Sequence, residues 1–88
     1  MPYIKPNQRP AIDALLAPML KVFDKYAFRA GELNYVFTKI ILGEMDGVVR
    51  YKNIRNAIGE LECTKLELYR RLAAPYEQKK LKENGDVF

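Results

Sequence analysis

The stretch IRNAIGELECTKLELYRRL, residues 54–72, carries its apolar side chains at helical spacing. Turning each residue by about 100° puts Ile54, Ala57, Ile58, Leu61, Leu68 and Leu72 in one narrow stripe. This predicts the longest helix of the chain, over about 52–73. Two residues stand out on it. Gly59 costs about 1 kcal/mol relative to alanine inside a helix, which predicts a close crossing with another element. Lys65 falls inside the stripe between Leu61 and Leu68, where an ammonium must snorkel, pair with an acid or meet a ligand.

Working outward, Pro75 is expected to end or bend this helix, because it has no amide hydrogen to donate. Tyr76–Glu83 can resume as a charged helix capped by Asn84-Gly85. On the other side, Val48–Tyr51 is a short connector read as a loop, preceded by the turn pair Asp46-Gly47. Leu33, Val36, Phe37 and Ile40 predict a second helix that opens at Gly31, has Glu32 in its first turn and is stopped by Gly43 and the pair Asp46-Gly47. Ile12, Leu15, Leu16, Met19, Leu20 and Phe23 predict a first helix, starting near Asn7–Pro10 and kinked or split near Leu16-Ala17 by Pro18. Residues 1–6, with two prolines, predict an extended N-terminal arm. The expected fold is all-α, a small bundle of three to four helices forming one domain over 1–88.

A core this small leaves little margin, since a chain of such length buries only roughly 60% of its unfolded surface. Either the helices pack very well or a partner chain supplies more buried area. The net charge of +4 is mild, so it permits an anionic partner without requiring one. A lone cysteine, Cys63, rules out an internal disulfide and suits a reducing cytoplasm. The N-terminus lacks a signal-peptide core, and no window reaches the roughly 20 apolar residues of a membrane span. The expected compartment is the cytoplasm, without a membrane partner.

Histidine and serine are absent, which removes Ser-His and Cys-His catalysis and the usual zinc ligand sets. No glycine-rich phosphate loop occurs. Glu60, Glu62 and Glu67 read as solvated helix-surface charges ahead of a magnesium site. We therefore expect no enzyme, no metal and no cofactor. The candidate ligand-binding residues are Glu32, Asn34, Tyr35, Glu62, Lys65 and Tyr69. Lys65 has Glu62 three residues before it and Tyr69 four after, and the plainer reading pairs its ammonium with Glu62 or Glu32. Asn34 and Thr38 lie one turn apart, where a buried amide fixes helix register or holds a ligand. A second set, Arg70, Arg71, Lys79, Lys80 and Lys82, is flanked by Tyr69 and Tyr76, a pattern used on nucleic acid. Its plainer reading is a solvated face with ion pairs to Glu67, Glu77 and Glu83. Cys63 and Leu66 lie off the main stripe and predict either a second buried face or an oligomer contact.

Five segments read together carry a resemblance: MPYIKP and NQRPAID near the start, AGELNY at 30–35, IGELECTKLELYRRLAAPYE at 58–77 and KKLKENGDVF at the end. In this order they resemble a small domain-of-unknown-function family of bacteria and tailed phages. The resemblance implies a stand-alone protein of phage or bacterial origin, with 20–29 and 43–52 as variable loops, and carries no catalytic or binding role. The functional expectation is a non-enzymatic binding or regulatory module, a homo-oligomer that engages a protein or an anionic small ligand. The alternative is a nucleic-acid-binding protein using the basic C-terminal helices.

Overall fold

In a computed structural model, the backbone of residues 2–25 and 30–88 and the side chains of 2–22 and 31–88 are described. The N-terminal arm is clipped to the first helix by its own polar groups. The Lys5 carbonyl accepts the Gln8 amide at 2.9 Å, and the Lys5 amide donates to Gln8 Oε1 at 3.2 Å. Arg9 Nε and Nη2 both donate to the Ile4 carbonyl, at 3.1 and 2.9 Å. These bonds close a 3₁₀ turn at Pro6–Gln8, so the extended segment stops one residue short of expectation.

Helix α1 runs Arg9–Lys25 without a break. Pro18 therefore does not split it: one missing amide donor costs less than stopping a 17-residue helix. Helix α2 spans Ala30–Met45 with Glu32 in its first turn, as expected. Gly43 sits inside it. The stop comes at Asp46-Gly47, with φ of 49° and 74°, where the Met45 carbonyl accepts the Val48 amide at 3.0 Å. Asn53 Nδ2 donates to the Val48 carbonyl at 3.2 Å and fixes the connector to the helix that follows. Residues 20–25, 43–45 and 51–52 are thus helical, not loop, and 26–29 lie outside the described residues. Phe23 lies outside the described side chains.

Helix α3 covers Tyr51–Leu68, a π turn covers Tyr69–Ala73, and helix α4 covers Ala74–Asn84. They join into one helix of 34 residues, about 51 Å long at 1.5 Å per residue. It ends where foreseen: the Gly85 amide, at φ 88°, donates to the Leu81 carbonyl at 2.9 Å. The described residues contain no strand, and no helix among them is long and apolar enough to cross a membrane. They form two compact units, 2–53 with α1 and α2, and 54–88 with most of the long helix.

Burial is where the structure departs most from the sequence reading. Among the described residues only Ala57 is buried, at 8% exposure, with Val36, Ile41, Met45, Asn53, Ile54, Glu67 and Ala73 half-buried. The stripes exist, yet their large side chains stay in solvent. Leu15 on α1 and Phe37 and Ile40 on α2 are all exposed. Cys63 and Leu66 are exposed too, so they do not mark a second buried face.

Gly59 likewise makes no close crossing, because a Cβ added there would meet nothing within 4 Å. Its cost is then purely conformational. Gly59→Ala is expected to raise stability by about 1 kcal/mol, read as a higher urea midpoint with an unchanged slope. A lower midpoint would show that a neighbour uses the space.

Candidate functional site

The long helix is shaped by what Pro75 lacks. A proline there gives no amide to the Arg71 carbonyl and would press its ring against it. The preceding turn widens instead: the Ala74 amide reaches back five residues to the Tyr69 carbonyl. Pro75 then stands at the first turn of α4, where no donor is required. The helix neither ends nor needs a break.

A turn wider by one residue delays every later side chain by about 100°. Tyr69 and Glu77, eight residues apart, would lie about 80° apart on an unbroken α-helix and come within about 20° here. The Tyr69 hydroxyl donates to Glu77 at 3.1 Å from each carboxylate oxygen, spanning the π turn. The same delay keeps Tyr76 in line with the face that begins upstream. Lys65, Leu68, Tyr69, Leu72, Ala73 and Tyr76 line one open groove of about 520 Å³, with walls drawn from this helix alone. Leu61 and Ile58 continue the face toward the N-terminus. Exposure along it runs 61% at Ile58, 45% at Leu61, 53% at Leu68, 65% at Leu72 and 61% at Tyr76.

Lys65 pairs with Glu62 at 2.9 Å, with both side chains more than half in solvent. This is the plainer of its two sequence readings, without the packed core around its stem. Of the six candidate ligand residues, Glu62, Lys65 and Tyr69 lie on the long helix in unit 54–88, and Glu32, Asn34 and Tyr35 lie on α2 in unit 2–53. Asn34 is exposed, and Thr38 Oγ1 donates to its backbone carbonyl at 2.8 Å with Asn34 Oδ1 at 3.5 Å. Its amide is therefore not the buried register device expected. Tyr35 carries the Lys39 ammonium over its ring at 5.9 Å.

The basic set is partly neutralised. Arg70 pairs with Glu67 at 2.7 Å and Lys80 with Glu83 at 3.1 Å, and Lys80 also lies 5.7 Å from the Tyr76 ring centroid. Arg71, Lys79 and Lys82 are exposed on the same helix. Glu77, expected as an ion-pair acceptor, takes the Tyr69 hydroxyl instead. That role follows from the π turn and had no sequence signal beyond Pro75.

The fold and this face define an all-helical protein whose one long helix presents an apolar groove to solvent. A family model described as a domain of unknown function (DUF6899) matches residues 1–87. The chain belongs to that family. No curated protein and no solved structure matches it.

The Tyr69–Glu77 bond raises the phenol above its usual value near 10, first through the hydrogen bond and then through the carboxylate charge. The fold favours the protonated phenol, so this contribution is present below about pH 10 and is lost as pH rises through the raised value. In a tyrosinate absorbance titration, Tyr69 is expected to ionise above the usual phenol value. Glu77→Gln should bring it back toward that value. Pro75→Ala should do the same, since a restored α turn separates the two side chains. A late phenol that survives Pro75→Ala would show that Pro75 does not cause the π turn.

Proposed function

We propose that this protein is a non-catalytic interaction module whose working surface is the apolar face of its long helix, from Ile58 to Tyr76. The observation that carries the reading is the exposure of that face: five large apolar side chains in line, each 45–65% in solvent. Fully burying such a side chain stabilises by about 1.5–3 kcal/mol, so a matching surface has much to gain there. A single helix of this kind is marginal in water by itself.

The groove's form favours a protein over a small anionic ligand. Small-molecule sites enclose most of their ligand between several elements, whereas every wall here comes from one helix. The one cation in the groove, Lys65, is held by Glu62. An elongated apolar partner that brings the opposite wall suits this surface better.

A thiol placed in the groove tests the reading. In a Cys63→Ala background, Leu72→Cys should react with a maleimide as fast as an exposed cysteine when the protein is dilute. Protection should appear only as concentration rises or a partner is added. Protection that persists unchanged down to nanomolar protein would mean that the chain covers this face itself, and the reading would fall.

A further inference from the structure

We propose that the occupant of this face is a second copy of the chain, its long helix antiparallel to the first, with Lys65 of each set against Leu68 of the other. The inference rests on the docking reading above and names its partner. Ile54, Ile58, Leu61, Lys65, Leu68 and Leu72 follow one another at alternating steps of four and three residues. That is the repeat of a coiled-coil seam, which another helix with the same repeat completes. The π turn would break the repeat if the helix were otherwise regular. By delaying the later side chains by one residue it brings Ala73 and Tyr76 onto the seam, where the groove shows them.

Length also points to a second copy. Helices α1 and α2 have 17 and 16 residues, about 25 Å each, against about 51 Å for the long helix. Neither matches it end to end, and another long helix does. The exposed seam residues together with Tyr69 present roughly 700 Å² per copy, close to the about 800 Å² per partner of a specific interface.

Charge decides direction and register. A parallel pair would set the Lys65 ammonium of one copy beside that of the other, in the seam. The antiparallel register sets Lys65 against Leu68, with Glu62 on its own helix neutralising it at 2.9 Å. The flanking positions that then face one another are those just after the seam residues. Arg55 of one copy faces Glu77 of the other, and Glu62 faces Tyr69, each pair occurring twice by two-fold symmetry. Glu77 would accept from Arg55 of the second copy as well as from Tyr69 of its own helix. Arg55 and Glu77 are exposed, so Arg55→Glu breaks no bond within the helix described here, whereas Glu77→Arg also removes the acceptor of the Tyr69 hydroxyl.

Size-exclusion chromatography with light scattering on the full chain tests this. The wild-type protein at micromolar concentration is expected at twice its 10.2 kDa mass. Arg55→Glu should weaken association about tenfold or more, with helical circular dichroism unchanged, since it turns two attractions into repulsions. The double variant Arg55→Glu/Glu77→Arg should restore it. A dimer indifferent to both changes would overturn the antiparallel register. A monomer up to about 100 μM, far above the range of specific dimers, would overturn the second copy. The Leu72→Cys labelling then separates the two failures: an open thiol on a monomer leaves the docking face standing for another protein, and a permanently protected one removes both.

Discussion

Pro75 has no amide hydrogen, and the form of the long helix turns on how that loss is met. Two simpler responses were available, to stop at Ala73 or to bend. A stop would leave α4 as 11 residues, below the length at which an isolated helix holds in water. Widening one turn keeps the remaining bonds in register and continues the helix for another 11 residues. Its geometric result is a phase delay, which sets Tyr69 against Glu77 and Tyr76 in line with Leu68. The hydrogen bond across the turn and the continuity of the apolar face therefore have the same cause.

The apolar face raises an energetic question that the fold does not answer within unit 54–88. One helix with one face of Ile, Leu and Tyr gains nothing from those side chains until a surface covers them. Ion pairs along the helix, Lys65–Glu62, Arg70–Glu67 and Lys80–Glu83, are all at i,i+3 spacing. Such pairs add about 0.2–0.5 kcal/mol each, small beside the cost of ordering 34 residues. The stabilising term has to come from burial.

Much of the helical plan was legible because it is local. Periodicity identified the stripe of residues 54–72, Glu32 marked the start of α2, and Asp46-Gly47 and Gly85 marked the two stops. Pro18 and Pro75 are legible as defects that kink or break a helix, and neither breaks one here, since propensity prices a missing bond but not the turn geometry that absorbs it. Burial was not legible at all. An apolar stripe at helical spacing marks a face suited to burial, without saying whether or by what it is covered. For the same reason Gly59 suggested a crossing, and Asn34 a buried amide, that the structure does not contain. At the candidate site, Lys65 with Glu62 followed from i,i+3 spacing, whereas Tyr69 with Glu77 did not, because eight residues bring side chains together only across a widened turn.

In the proposed pairing, Lys65 gives the face its selectivity. An unbroken apolar face would accept any apolar helix in any register, which invites aggregation as readily as assembly. A cation in the middle sets a penalty on every partner that cannot leave it solvated or neutralised, and Glu62 satisfies it from within the same helix. Only arrangements that keep this pair intact escape the desolvation cost of an unpaired buried charge. In the proposed pairing, the residue that stands out in the apolar stripe has a physical role: it lowers the affinity of the face and raises its discrimination, as a polar residue in a helical seam does.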